Sequence, residues 1–501
     1  MALGKRKLES QSQLWVATQD LTAPSHPFYK KLNRVLDKHG FDEFVEEQCA
    51  KYYADGIGRP GIPPGVYFRL LMIGYFEGIA SERAIAWRVA DSLSLRQFLG
   101  YELDQATPDH SSVSRTRRLL DYQTHQEVFD WVLKVLAKAK LLKGKTLGVD
   151  ATTLDANAAM RSIVRRDSGE SYDEFLTELA KASGIETPTR EDLAKIDKKR
   201  PKKGSNKDWE HPHDPDARIT KMKDRRTHMA HKVEHAVDMD TQAIVALTLP
   251  SADEGDTESL PWTLLRTELN LEKVSQDPAA KKRLHPNPSS EVVADKGYHS
   301  NGVLVNLSAS GIRSCISEPD RGRRNWKDKA EAQKAVYANR RRIRGNRGQS
   351  LRRKRGEFLE RAFAHLFETG GMRRLFLRGR QNILKRLLIH VCGFNLGLLM
   401  RKLVGSGTPR GMRGVFLLIS SFTTSVFAPS RTFSPPAAQF PRLCRFFIPS
   451  VARRCATITP PQLTPNAVLT TGCYDFDSFT HNWLLNLMAA EGSSENHLRR
   501  Y

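Results

Sequence analysis

The spacing of apolar residues divides the chain into an amino-terminal helical part and a later part that mixes strands with helices. Between residues 26 and 120, apolar side chains recur at helical spacing in short segments, and Pro63 and Pro64 open one of them. Farther along, short apolar runs end in a carboxylate at Thr146–Asp150 and Glu291–Asp295. Runs of this kind are typical of buried strands that deliver an acid to the edge of a sheet.

The amino-terminal segments carry helix-start signals and have a basic last member. Ser81 is expected to cap one helix, and Asp109 or Ser111 to cap the helix Ser111–Leu120. Thr124 and Glu127 have the spacing of a capping box for the following helix. Short helices with a basic last member predict a helix-turn-helix-like DNA reader, although a purely structural helical domain fits the same pattern. The basic side chains on that last helix are Arg115, Arg117 and Arg118.

The later pattern predicts a mixed sheet flanked by helices, so the fold class is α/β with an all-helical amino-terminal domain. Thr227–Asp238 and Ala243–Leu249 have the pattern of two strands joined by a turn, and Ile312–Ser317 that of a further strand. Ile383–Leu399 is an apolar helix that should pack against the sheet. The histidines of the first of these strands are expected to face solvent: His228, His231 and His235.

The composition changes sharply near the carboxyl end. No lysine follows Lys402, and prolines crowd the stretch from Pro429 to Pro465. Prolines at this density deny the backbone the hydrogen bonds of helix interiors and central strands. Residues 409–501 are therefore predicted to form a largely disordered tail.

The net charge of the chain indicates which class of molecule it binds. The 501 residues carry 79 Lys plus Arg against 56 Asp plus Glu, a formal net charge of +23. This excess predicts a polyanionic partner, and nucleic acid fits better than a membrane because no apolar run has the length of a membrane span. The 6 cysteines form no Cys-x-x-Cys pair, and no signal-peptide core follows the amino terminus, so we expect a cytoplasmic protein. The densest basic stretch, expected to line a phosphate track beside the acids, contains Arg340, Arg341, Arg342, Arg344, Arg347, Arg352, Arg353, Lys354 and Arg355.

Three acids are candidates for one catalytic cluster. Asp150 and Asp295 end the two strand-like runs, and Glu360 lies in a helical segment. Carboxylates that are gathered at one point repel each other unless cations neutralise them, so a divalent metal is the natural counterpart.

The blocks around these acids resemble the three acidic motifs of bacterial insertion-sequence transposases. They read Val-Asp-Ala-Thr at Val149–Thr152, Ala-Asp-Lys-Gly-Tyr at Ala294–Tyr298 and Leu-Glu-Arg-Ala-Phe at Leu359–Phe363. The resemblance covers roughly residues 25–408. It implies a helical DNA-binding domain over 25–122 and a ribonuclease-H-like catalytic domain over 123–408, with a polar insertion around 161–225. It also implies a DDE site that holds two Mg²⁺ ions, for which Mn²⁺ can substitute, and a homodimer bound to double-stranded DNA.

Several positions leave rivals to this assignment. Where the family often has a tyrosine and an arginine before the glutamate, this chain has Arg353 and Gly356, so Glu357 stays an alternative to Glu360. The second acid has rivals in Asp253, Glu254, Asp256 and Glu258, and Asp155 is a rival ligand that fits a solvated turn better. A metal cluster is an alternative to an irregular linker for His211, His213, Asp214 and Asp216.

Two other functions fit the same sequence. One is a metal-dependent DNA nuclease that cuts without joining, and the other is a DNA-binding protein that has lost catalysis. The sequence sets neither the terminal repeats nor the target sequence, and it does not decide whether this copy is active.

Overall fold

The computed structural model describes residues 25–54, 61–200, 204–221, 226–320, 322 and 324–412. Apart from residues 409–412, the predicted tail lies outside the described residues. The first described part is helical, as predicted, with α1 Pro27–Lys38, α2 Phe41–Cys49, α3 Pro64–Glu77, α4 Glu82–Ala90, α5 Leu93–Leu99, α6 His110–Leu119 and α7 Tyr122–Lys138.

The starts of these helices confirm two of the predicted caps and correct a third. The Ser81 side chain accepts a backbone N–H in the first turn of α4, and Asp109 does so for α6. The predicted capping box at Thr124 is wrong. Asp121 caps α7 instead, accepting from the Thr124 N–H at 2.7 Å, because its carboxylate lies one helical turn earlier and already satisfies that donor.

The second part alternates strands and helices. Its elements are β1 Thr146–Asp155, β2 Val164–Arg165, α8 Tyr172–Ala182, α9 Arg190–Lys199, β3 Trp209–Glu210, β4 Arg218–Lys221, β5 Thr227–Asp238, β6 Ile244–Thr248, α10 Asp256–Ser275, α11 Pro278–Lys281, β7 Glu291–Ala294, α12 Asn301–Ala309, β8 Arg313–Ile316, α13 Ala330–Arg344, α14 Asn346–Phe363 and α15 Arg380–Val404. A π-helical turn over Ala364–Thr369 follows α14.

The main sheet mixes parallel and antiparallel strands, which confirms the predicted α/β class. β1 lies between β5, to which it is antiparallel, and β7, to which it is parallel. β8 continues the sheet in parallel beyond β7, while β4 and β6 both pair with β5. Helices α10 and α14 both contact this sheet.

β5 is more deeply buried than its polar sequence suggests. His231 and His235 are 3% and 0% exposed, so the expectation that they face solvent is wrong, whereas His228 is half-buried. The reason is that other segments cover the face on which they lie: the His235 ring packs on Phe363 of α14, and His231 bonds the buried Asp214.

Helix α15 joins the helical part to the sheet. The expectation that no apolar run has the length of a membrane span is wrong, because this helix is long and apolar enough to cross one. However, 94% of its most apolar stretch is buried inside the protein, which confirms the prediction of a core helix. Arg386 donates to the carbonyl of Leu71 in α3 at 2.7 Å. Asn395 donates to the carbonyl of Ile244 in β6 at 2.9 Å. One continuous hydrophobic core therefore extends from Phe28 to Met412.

Candidate active site

The sequence had suggested that Asp150 lies at the end of its strand. In the structure it lies in the middle of β1. The strand continues to Asp155 because its antiparallel partner β5 is long enough to pair with it there, and Asp150 lies opposite His235. The parallel partner β7 is shorter and pairs only as far as Gly148 with Val293. Two residues farther along this register, Asp150 is level with Asp295, just past the end of β7.

Asp295 opens a tight turn that also involves Asp256. The Asp295 carboxylate accepts the N–H of Gly297 at 2.8 Å. A Cβ atom at Gly297 would lie 2.6 Å from Oδ2 of Asp256 and 3.1 Å from Oδ1 of Asp295. Two carboxylates thus flank Gly297 closely, and a side chain there would force them apart. Asp256, the first residue of α10, is the member of the predicted rival set that contacts the turn.

The electrostatics of Asp150 reflect burial and crowding by like charge. Its pKa is raised to about 6, mainly because the carboxyl is buried and in part because the charges of Asp295 and Asp256 lie close to it. The Arg355 guanidinium opposes the shift from 3.0 Å away. Asp256 has its own cation, because Nζ of Lys232 lies 2.7 Å from its carboxylate.

Neither candidate for the third acid touches the two aspartates. On the side of α14 that packs against the sheet, Leu359 is buried, whereas Glu360 and Glu357 are exposed. Glu357 forms an ion pair with Arg361. Within the described part of the chain, no ion pair or hydrogen bond joins Glu360 or Glu357 to Asp150. The structure brings together Asp150, Asp295 and Asp256, and it presents Arg355 to them from α14.

The donor chemistry fits a divalent cation only in part. Half-buried aspartates that lie close together offer the hard oxygen donors that Mg²⁺ prefers, and the charges of Asp295 and Asp256 raise the pKa of Asp150. However, no group of three His, Cys, Asp or Glu side chains among the described residues is arranged to hold a metal ion. The same holds for His211, His213, Asp214 and Asp216, for which the sequence left a metal cluster as an alternative to an irregular linker. There, Asp214 bonds His231 at 3.0 Å and accepts the N–H of Gly379 at 3.1 Å, so it holds the fold together.

The basic side chains of α6 differ in accessibility. Arg115 and Arg118 are exposed. Arg117 is 6% exposed and lies 2.7 Å from the Glu82 carboxylate in an ion pair between α6 and α4. Because its charge is neutralised inside the helical part, Arg117 is a packing residue in this structure, and the exposed basic surface of α6 consists of its two neighbours.

The basic stretch around α13 and α14 is likewise divided between paired and exposed charges. Arg340 lies 2.7 Å from Glu318, and Arg347 lies 2.5 Å from Glu291. Arg342 donates to the carbonyl of Ser314 at 2.7 Å. Arg341 and Arg344 are exposed. A cavity of about 470 Å³ between these elements is lined by Arg313, Ala338, Arg341, Arg342 and Gly345.

Only the last part of this stretch lies beside the acids, where the sequence predicted the whole of it. Arg313 and Glu291 are the first residues of β8 and β7, whereas Asp295 follows the last residue of β7. The arginine-lined cavity is therefore toward the amino-terminal ends of these strands. Helix α14 spans the interval, since Arg347 pairs with Glu291 at one end and Arg355 pairs with Asp150 farther along. Exposed basic residues of α14 lie between them: Arg352, Arg353 and Lys354.

Sequence reasoning missed two buried charged residues behind the acids, Lys232 and Glu234. They occupy alternate positions of β5, so they share one face of the sheet. Glu234 is 0% exposed and bonds Tyr298, which belongs to the Asp295 turn. The signal that could have found them is a pair of opposite charges with a period of two, flanked at the same period by Ala230 and Ala236.

Comparison with known protein families finds a match for the amino-terminal helical part. Residues 17–119 match the family model described as Transposase domain (DUF772). No curated protein matches the chain. The matched region includes helices α1 to α6 and the exposed arginines of α6. The amino-terminal part of this chain is thus similar to the transposase domain that this family model describes, which is consistent with the resemblance to insertion-sequence transposases.

Proposed function

We propose that the protein is a DDE-type insertion-sequence transposase that cleaves DNA strands and joins the freed ends to a target. The observation that carries the proposal is the position of Asp150 and Asp295 at the same level of two neighbouring parallel strands. This pair occurs in a chain whose amino-terminal part is similar to a transposase domain.

The sheet supports a ribonuclease-H-like core for this activity. Its strand order is β4-β5-β1-β7-β8, and β6 also pairs with β5. Strand β1 has the antiparallel β5 on one side and the parallel β7 on the other. Such a core would carry its first acid on the central strand and its second at the end of the adjacent parallel strand. Asp150 and Asp295 have these positions.

In this proposal Asp150 and Asp295 would hold divalent metal, Mg²⁺ with Mn²⁺ as a substitute. When bound, a pair of such ions activates water or a DNA 3′-hydroxyl and stabilises the leaving oxygen of the phosphodiester. Arg355 must then give up its ion pair with Asp150. A guanidinium released beside the site can donate two parallel hydrogen bonds to a phosphate, which would orient the scissile group.

Glu360 is the proposed third ligand, with Glu357 as its rival. Glu360 directly follows the buried Leu359, whereas Glu357 is already paired with Arg361. Comparing Glu360→Gln with Glu357→Gln decides between them. Loss of cleavage in the first variant alone supports Glu360, and loss in the second alone moves the ligand one helical turn back.

The proposed partner is double-stranded DNA, bound in the cytoplasm by a homodimer that holds both element ends. The exposed Arg115 and Arg118 of α6 would contact the ends, and the exposed Arg341 and Arg344 would contact the phosphate backbone nearer the core. Paired arginines such as Arg117 contribute to folding in this scheme and not to DNA affinity.

A strand-transfer assay tests the proposal. The full chain is incubated in Mg²⁺ with short duplexes that carry the DNA flanking its coding sequence, together with a supercoiled target. Joined products are expected. Cut products without joined ones would identify a nuclease, and binding without either would identify a regulator that has lost catalysis.

Single Asp→Asn substitutions test the two proposed metal ligands, and a third aspartate on β1 serves as the control. Asp150→Asn and Asp295→Asn should abolish cleavage and retain DNA binding, because each removes a metal-ligating charge and leaves the basic surfaces intact. Asp155→Asn is the matched control, since Asp155 is half-buried at the end of β1 and is held there by backbone pairing with the segment around Arg374. Near wild-type cleavage by Asp295→Asn would disprove the assignment of that ligand.

A further inference from the structure

Glu234 is a fully buried carboxylate directly behind the acidic pair. It precedes His235, which lies opposite Asp150, and it pairs with Ala151 across the two strands. Because successive side chains of a strand point to opposite faces, Glu234 and Asp150 lie on opposite sides of the sheet. Glu234 is therefore close to the site in the fold without being able to ligate the same metal as Asp150.

Three hydroxyl groups donate to this carboxylate. The Ser259 hydroxyl and the Tyr298 hydroxyl each lie 2.8 Å from Oε1. The Thr263 hydroxyl donates to Oε2. An ionised carboxylate is an acceptor only, so it can satisfy all three donors at once. These groups are buried, and loss of the acceptor would leave their donors unsatisfied.

The donors come from the two segments that carry the other acids. Ser259 and Thr263 belong to the first turns of α10, which begins at Asp256. Tyr298 ends the turn that begins at Asp295. Glu234 thus ties both segments to β5, next to the strand of Asp150.

Lys232 reinforces the same connection from two residues earlier on β5. It forms an ion pair with Asp256 at 2.7 Å and donates to the carbonyl of Glu254 at 3.0 Å. It also donates to the Ser259 hydroxyl at 3.1 Å, and because that hydroxyl in turn donates to Glu234, one hydroxyl group connects the two charged side chains. The beginning of α10 is consequently fixed by two charged side chains of one strand.

We propose that Glu234 is a positioning residue for the reaction, which holds the Asp295 turn through Tyr298 and thereby sets the distance from Asp295 to Asp150. This inference rests on the proposed function. The turn has little room to adjust, because Gly297 lies against the carboxylates of both Asp256 and Asp295. Release of Tyr298 would let the turn move as a unit, and the two ligands would lose their fixed separation.

The test measures Mn²⁺ binding to the full chain by titration calorimetry. Glu234→Gln and Tyr298→Phe are each expected to weaken Mn²⁺ binding by about tenfold, the usual size of an effect from the residues that orient metal ligands. Tyr298→Phe keeps the ring and removes only the hydroxyl, so it preserves packing. The matched control is Thr267→Val, which removes a buried hydroxyl of the same helix that donates to the Thr263 carbonyl and not to Glu234.

A double variant separates positioning from general loss of stability. If Glu234 acts through Tyr298, Glu234→Gln combined with Tyr298→Phe should bind Mn²⁺ no more weakly than the worse single variant. Single-turnover cleavage at saturating DNA should fall in parallel, while DNA affinity stays within about twofold. Wild-type Mn²⁺ affinity in Glu234→Gln would overturn the proposal, and so would an equal loss in Thr267→Val.

Failure of the proposed function would look different. If Asp295→Asn bound Mn²⁺ as tightly as the wild type, the metal site itself would be wrongly assigned. If Asp295→Asn lost Mn²⁺ binding while Glu234→Gln and Tyr298→Phe retained it, only the positioning role would be disproved.

Discussion

The guanidinium of Arg355 lies 3.0 Å from the carboxylate of Asp150, where the sequence predicted a divalent cation. The ion pair joins α14 to the central strand across 205 positions of the chain. An arginine at this point neutralises one of three neighbouring aspartates and stabilises the fold without metal.

Without Arg355, the stability of the folded protein should depend more strongly on bound divalent metal. Arg355→Ala is expected to lower the free energy of unfolding by about 1–3 kcal/mol without divalent ions, since it leaves a half-buried carboxylate unpaired beside two others. Mg²⁺ should then raise the melting temperature of the variant more than that of the wild type, because no side chain competes for Asp150. Arg352→Ala, at an exposed position one turn earlier in α14, is the control. Equal Mg²⁺ effects in both variants would contradict the competition.

DNA binding should depend on the exposed arginines more than on the paired ones. Arg341→Ala with Arg344→Ala is expected to reduce the slope of log affinity against log salt by about 1 for each phosphate that the protein no longer neutralises. Thermal stability should be unchanged because both side chains are exposed. Fluorescence anisotropy from about 50 to 200 mM salt measures the slope. An unchanged slope would show that the cavity-side arginines are off the DNA path.

Arg342 should give the opposite result. Its guanidinium is bound to the carbonyl and hydroxyl of Ser314 at 2.7 and 2.8 Å, so Arg342→Ala removes bonds that hold α13 to β8. A lower melting temperature with a smaller change in salt dependence is expected for that variant.

Acid should destabilise the protein through its buried histidines. Burial lowers the pKa of His125, His235 and His390 to about 3, against an ordinary value of 6.5. Below pH 6.5 the unfolded chain takes up protons at these positions that the folded chain does not. Stability is therefore lost as pH falls from 6.5 towards 3, by about 2 kcal/mol for each histidine between pH 6.5 and 5.

His235→Phe isolates one of these contributions. Among the described residues, neither ring nitrogen of His235 has a hydrogen-bond partner, and its ring packs against Phe363 at 4.1 Å between centroids, so phenylalanine fits the environment. Urea denaturation at pH 6 and pH 5 should show the variant losing about 1.4 kcal/mol less than the wild type. An identical pH dependence of the two proteins would show that His235 titrates normally in the folded state.

The junction between α3 and α15 should not tolerate a side chain at Gly74. A Cβ atom there would overlap Nη2 of Arg386 and lie 2.9 Å from Cδ1 of Ile85. Arg386 is 1% exposed and bonded to two carbonyls, so it has no free space to enter. Gly74→Ala should cost about 1–3 kcal/mol of stability.

A second helix-interior glycine gives the control for this effect. No atom of the described residues lies within 4 Å of a Cβ atom at Gly356, so Gly356→Ala should stabilise the protein by about 0.5–1 kcal/mol through helix propensity alone. Chemical denaturation of both variants makes the comparison. Similar effects of the two substitutions would rule out a tight junction at Gly74.

The sequence predicted those features of the fold that depend mainly on residues close together in the chain. The bounds of β5 and the turn before β6 follow from a period of two between turn residues, and the apolar pattern of α15 follows from a core on several sides. The start of α7 was misplaced because Asp121 and Thr124 both satisfy the same capping preference, and only the backbone path selects between them.

The sequence did not predict features that depend on contacts between segments far apart in the chain. Asp150 was expected at a strand end because the apolar run stops there, yet pairing with the longer β5 extends β1 to Asp155. The contact of Arg355 with Asp150 depends on which face of α14 meets the sheet, and no periodicity in so basic a helix reveals that face. The roles of Glu360 and Glu357 stay predictions for the same reason.

The burial of α15 between the helical part and the sheet limits how relatives of this protein can be recombined. A chimera that exchanged residues 25–122 alone would confront Arg386 with foreign carbonyls in place of those of Leu71 and Ile79. It would also replace the surface against which His390 packs at Tyr75. The smallest exchangeable unit is therefore discontinuous in sequence, since the amino-terminal segment must travel together with Arg380–Val404.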